Sequence, residues 1–282
     1  MTEQNDVEFS EPKQSKRLIW LVAVAISAAC ALFLFKNFTA APIEPDYPST
    51  PEAISRATKF MVSDEKRFAE ADIRLLFIGN SHTIFHDLHH LVGDLIRFRT
   101  PDKKIYTHSI GDRDLEFAQH NPAVASEINT RPWDAVILQG QPISQSGKYL
   151  YSKKGSLSLA KMAHAKGLRV MFYSEWGLRD DAKNTEHTAK IYNELATETS
   201  SELIPVGRVW ARALQKSPEL NLYEEDGNHQ NRLGASLTAL VIAATFLKNP
   251  SHDFHEYRDP VASPAEWKLF CDAAEILAAS GN

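Results

Sequence analysis

After residue 72, short β-branched or aromatic runs alternate with stretches at helical spacing, and this alternation restricts the fold more than any other feature of the chain. Ile73 to Ile78, Lys104 to His108, Ala135 to Gln139, Leu168 to Tyr173 and Glu202 to Val206 read as five strands, each separated from the next by enough chain for a helix. Such alternation predicts an α/β fold in three α/β/α layers, with a mainly parallel five-stranded sheet covered on both faces. Ile84, Leu88, Leu91, Val92, Leu95 and Ile96 recur at helical spacing after the first strand. Ser263-Pro264-Ala265-Glu266 is a capping box with proline at the first helical position and opens the last helix. Thr50 and Pro51 start an earlier one that places Ile54, Ala57, Phe60 and Met61 on one face. In an open parallel sheet the carboxyl ends of the strands line one edge, and ligands bind there. Ser81, Gly111 and the segment Gln139 to Gln141 all follow predicted strands, so they should converge.

The first fifty residues have a different character. Leu18 to Phe35 is an uncharged run of 18 residues, flanked or ended by Trp20, Phe35 and Phe38 as interface anchors. It reads as one transmembrane helix. Lys13, Lys16 and Arg17 precede it and only Lys36 follows closely, which favours a cytoplasmic N-terminus with the rest of the chain outside, periplasmic or extracellular. The alternatives are a cleaved signal peptide and a lipoprotein signal ending at Cys30. Thr39-Ala40-Ala41 is followed by Pro42, and Cys30 by more apolar residues, so neither offers a good cleavage site. Pro42, Pro45, Pro48 and Pro51 recur every third residue and favour an extended polyproline II stalk. The expected organisation is therefore a tail over 1–17, an anchor over 18–35, a stalk over 36–51 and one globular domain over 52–282. Cys30 and Cys271 are too differently placed to bridge within that domain. A formal charge of −5, with no basic stretch carrying interleaved aromatics, excludes nucleic acid as the expected partner.

Gly79-Asn80-Ser81-His82 follows the first predicted strand, so the Ser81 hydroxyl sits where a buried strand turns into a helix. A serine hydroxyl needs a neighbouring base to become a nucleophile, and an imidazole needs a carboxylate to fix its tautomer. Asp226-Gly227-Asn228-His229, just before the helix-like run Leu233 to Leu240, supplies both groups three residues apart. The competing role for Ser81 is a helix N-cap, with Asn80 a turn residue.

These two blocks, in this order, resemble the SGNH (GDSL-like) hydrolase superfamily, from about Asp72 to about Leu247. The resemblance implies a flavodoxin-like sheet, Ser81 as nucleophile, His229 as base and Asp226 as its orienting carboxylate, with no metal or organic cofactor. It also implies oxyanion donors: the Ser81 N–H, the N–H of Gly111 in Ser109-Ile110-Gly111-Asp112, and an amide side chain from a third block. That block departs from the family's Gly-x-Asn-Asp. Trp133-Asp134-Ala135-Val136-Ile137-Leu138-Gln139-Gly140-Gln141 ends in glutamines, similar to a branch of the superfamily with Leu-Gln-x-Gln at this strand end. Gln141 is the choice for the amide donor, and Gln139 the alternative.

His82, His86, His89 and His90 resemble a metal site in spacing, but no carboxylate-containing zinc motif accompanies them; they read as a partly exposed polar face opposite Ile84 and Leu88. Glu175 and Trp176 follow the fourth strand on the same edge, and Trp133 and Trp210 read as core. The resemblance, with a placement outside the cytoplasm, implies hydrolysis of small-molecule or polysaccharide esters, in particular O-acyl or O-acetyl groups of a carbohydrate or envelope polymer. The alternatives are a lipid esterase or thioesterase and a non-catalytic glycan-binding or assembly protein.

Overall fold

The computed structural model describes residues 65–140, 142–143 and 149–275. The predicted anchor, the stalk, the helix expected from Thr50 and Gln141 lie outside the described residues. Five strands, β1 (Ile73–Gly79), β2 (Ile105–Gly111), β3 (Ala135–Leu138), β4 (Arg169–Tyr173) and β5 (Glu202–Ile204), form one parallel sheet in the order β2-β1-β3-β4-β5. β2 runs three residues past the predicted end because Ser109, Ile110 and Gly111 pair with Phe77, Ile78 and Gly79. β5 stops at Ile204, since Pro205 has no N–H for the ladder.

In chain order the helices are α1 (Glu65–Glu70), α2 (Ser81–Ile84), α3 (Leu88–Arg99), α4 (Leu115–Ala118), α5 (Pro122–Thr130), α6 (Lys154–Ala165), α7 (Ala182–Thr199), α8 (Val206–Lys216), α9 (Arg232–Leu247) and α10 (Pro264–Ala274). Period-two alternation along β1 assigns the layers. Leu75 and Phe77 enter a core with α3, α8, α9 and α10, whereas Leu76 and Ile78 enter one with α1 and α4 to α7. All four of those side chains are fully buried, each stabilising the fold by about 1.5–3 kcal/mol relative to exposure. α9 is buried on nearly every side from Gly234 to Ala244, so the loop that precedes it is tied to a fixed post. Ser263 and Glu266 make the predicted capping box of α10, and Trp133 and Trp210 are core. Cys271 is a buried free thiol. Among the described residues no helix is long and apolar enough to cross a membrane.

The helix predicted through Ile84 and Leu88 is broken. A 3₁₀ turn over Phe85–Asp87 separates α2 from α3, with His86 and Asp87 both left-handed at φ 57° and 52°. The His86 imidazole Nε2 lies 3.0 Å from both Glu224 Oε1 and the Gln230 carbonyl, contacts a continuous helix would not direct it to make. The uniform histidine face is lost with it. His82 is buried, and Ile84 is 40% exposed instead of opposing it from the core.

Candidate active site

The turn after β1 settles which side chain caps α2. Asn80 is the N-cap, its Oδ1 accepting the His82 N–H at 3.0 Å. Ser81 is the first helical residue, and its Oγ lies 2.8 Å from His229 Nε2. Gly79 allows the turn to close: a Cβ there would lie 2.1 Å from Thr83 Oγ1 and 2.6 Å from the Gln139 carbonyl oxygen.

On the opposing loop, Asp226 Oδ1 accepts the N–H groups of Asn228 (2.9 Å) and His229 (3.0 Å), an arrangement that leaves Oδ2 facing His229 Nδ1 at 2.5 Å. The His229 hydrogen bond first, then the Asn228 N–H, hold the Asp226 carboxyl down at about 2. It therefore remains ionised and fixes the tautomer in which Nδ1 donates and Nε2 can accept from Ser81. Gly227, at φ 67°, turns the loop between them. Its carbonyl accepts from the Arg179 N–H at 2.8 Å, and the Asn228 carbonyl accepts from Trp176 Nε1 at 2.9 Å.

The His229 ring lies between two others: His82 at 5.0 Å and Phe85 at 4.7 Å, both tilted by 25°. Burial, reinforced by the nearness of His229, lowers the His82 pKa to about 4. An imidazolium forming on His229 thus meets a neutral neighbour. Sequence spacing gave no role to either flanking ring; their only signal is position, one and four residues beyond Ser81. The other histidines disperse, His86 to Glu224 and His89 against His90 at 4.0 Å. Among the described residues, no group of three or more His, Cys, Asp or Glu side chains is arranged to hold a metal ion.

Gly111 ends β2 directly beside Gly79, on the same edge as Ser81. Gln139 is fully buried. Its Oε1 accepts the Asn80 N–H (3.2 Å) and the Thr83 hydroxyl (2.8 Å), while Nε2 donates to Glu175 Oε2 (3.3 Å). This alternative oxyanion donor is committed to protein partners. Glu175 and Trp176 are on the predicted edge but only 5% and 4% exposed. Burial raises the Glu175 carboxyl to about 7, against the opposing hydrogen bond from the Tyr192 hydroxyl at 2.6 Å.

With a hydroxyl, an imidazole and a carboxylate in one hydrogen-bonded chain, this edge can carry out base-assisted nucleophilic attack. The same architecture occurs among solved structures. A DUF4886 family protein from Bacteroides uniformis is 16% identical, with a TM-score of 0.56 over 74% of this chain and 95% of its own. The chain shares that protein's fold. Similar structures include a candidate SGNH hydrolase from Slackia heliotrinireducens (22% identical, TM-score 0.47, 62% of this chain and 98% of that one) and the psychrotrophic esterase EstA from Pseudoalteromonas sp. (14%, 0.47, 63% and 98%). At these identities the likeness is one of fold. No protein-family model matches the chain, and no curated protein matches it in sequence.

Proposed function

We propose that this chain is a serine esterase of the SGNH type. The unbroken chain from Ser81 Oγ through His229 to Asp226, at 2.8 and 2.5 Å, carries the reading, and it speaks against a protein that keeps the fold without the chemistry. Ser81 Oγ attacks the ester carbonyl carbon as His229 Nε2 takes the hydroxyl proton. The new C–O bond converts the carbonyl oxygen to an oxyanion, which the N–H groups of Ser81 and Gly111 and the amide of Gln141 stabilise. Collapse breaks the bond to the alcohol, and Nε2 returns the proton to that leaving oxygen. Water, deprotonated by the same nitrogen, then attacks the acyl-serine; the acyl C–Oγ bond breaks, Nε2 returns the proton to Ser81 Oγ, and the carboxylic acid leaves. Each step uses groups of the chain and water alone.

Two surroundings bear on the substrate. Ile84 and Phe85, each 40% exposed, stand within four residues of Ser81 and give the site an apolar lip. Trp176, whose ring lies 5.3 Å from that of His82, also lines a cavity of about 580 Å3 whose walls mix Asp181 and Asn221 with Trp210, Leu214 and Leu220. The first reading, a carbohydrate or envelope-polymer ester bearing a short acyl group, draws its support from a placement of the domain outside the cytoplasm. The apolar lip favours the second reading, a lipid esterase or thioesterase. In the first reading residues 52–282 form the hydrolase domain, held outside the cytoplasm by a single anchor at Leu18 to Phe35. Basic residues before that run support this orientation. Initial rates on p-nitrophenyl esters from acetate to dodecanoate, beside acetate release from acetylated glycans, separate the two. Preference for acetyl esters supports the glycan reading, rates rising steadily to dodecanoate support the lipid one, and hydrolysis of none overturns both.

A further inference from the structure

Behind the nucleophile turn lies a buried polar group that base and nucleophile chemistry does not use. Gln139 Oε1 receives two hydrogen bonds from that turn, one from the N–H of Asn80 and one from the hydroxyl of Thr83, on either side of Ser81. The other end of the carboxamide is held by Glu175 Oε2 at the end of β4. The same oxygen accepts from Tyr192, whose hydroxyl in turn accepts the Gly140 N–H at 3.0 Å. One carboxyl oxygen therefore ties both the serine turn and the backbone of the third block. A backbone donor fixes the orientation of the amide: the Asn80 N–H can only give, so Oε1 must face it and Nε2 must face Glu175. Two polar side chains buried with partners at every contact are costly to misassemble, so the arrangement specifies one geometry.

From this, the geometry points to Gln139 and Glu175 as positioning residues that set Ser81 and the third block in mutual register. The assignment rests on the esterase reading and deepens it: of the two glutamines of the third block, Gln139 holds the nucleophile turn and is not the oxyanion donor. What matters is the order of donor and acceptor between positions 139 and 175, not the shape of either side chain.

Exchanging that order tests the assignment. Q139E sets two carboxyl groups against each other and removes the donor; E175Q keeps an acceptor for both Gln139 and Tyr192; Q139E/E175Q restores one donor facing one acceptor, with the Tyr192 hydroxyl turned to donate to the Gly140 carbonyl, 3.2 Å away. In full-length protein at pH 8, the second-order rate of Ser81 labelling by a fluorophosphonate should fall at least about 30-fold in Q139E and return to within about 5-fold of wild type in the double variant. E175Q alone should label within about 3-fold of wild type. Hydrogen-exchange protection of the peptide spanning residues 79–83 should be lost and regained in the same pattern, a readout independent of activity. Q139E that labels and exchanges like wild type overturns the assignment, as does a double variant that regains neither or cannot fold. Wild-type protein with no label on Ser81, but with exchange following the swap, overturns the esterase reading and leaves the register intact.

Discussion

Three side chains from two distant segments meet because each is denied a competing partner. Asn80 takes the capping role that Ser81 would otherwise fill, and Asp226 divides its oxygens, one for the loop backbone and one for the imidazole. Phe85 covers one face of His229 while remaining 40% exposed. Phe85→Ala should therefore lower kcat by about 3- to 10-fold, the worth of one aromatic contact, and leave Tm within about 2 °C of wild type. Steady-state kinetics and a thermal melt check it; an unchanged kcat shows that the ring only decorates the site. Asp226→Asn preserves shape but presents the imidazole with a donor, so kcat should fall by about 10⁴-fold with little change in KM. That Ser81, Asp226 and His229 would meet was legible because two short blocks carried them. The flanking rings were not, since stacking on a residue 144 or more positions away leaves no periodic trace.

The elements show where period and propensity suffice and where they do not. Five strands and the last capping box followed from the sequence because each is a local pattern, whereas the split between α2 and α3 depends on Glu224 and Gln230, contacts distant in sequence that reorient His86. Glu175 adds a pH dependence at this scale. Its folded value, about 7, stands above the ordinary 4.5, so the neutral acid favours the fold. Its stabilisation is complete below about 4.5 and is lost as pH rises through about 7, by up to about 3 kcal/mol. Glu175→Gln cannot ionise, so its Tm relative to wild type should climb between pH 5 and 8. A difference constant across that range contradicts a raised carboxyl. Gly227→Ala, in the left-handed region at φ 67°, should cost about 1–2 kcal/mol in urea unfolding; no loss would mean that the loop turns differently.

For the whole molecule, alternation of strands and helices, with helices on both faces of the sheet, brings the ends of β1, β2, β3 and β4 to one edge, and the site lies there. This was readable in advance because the topology rules leave few alternatives for such an alternation. How the domain is held in the cell is a separate proposal, one that rests on Leu18 to Phe35 and its basic flank. External protease on spheroplasts should release a fragment that begins near the prolines of residues 42–51 and contains Ser81. Full-length protein in a salt-washed aqueous fraction would contradict the anchor.

The central claim is that Ser81 is a nucleophile activated by His229 and Asp226. Intact-mass and peptide-mapping analysis after treatment with a fluorophosphonate tests it directly. A single adduct on Ser81, absent from Ser81→Ala and slowed by about 10³-fold or more in His229→Ala, is the predicted result. An adduct on another serine, or a Ser81 adduct that forms equally fast without His229, contradicts the account.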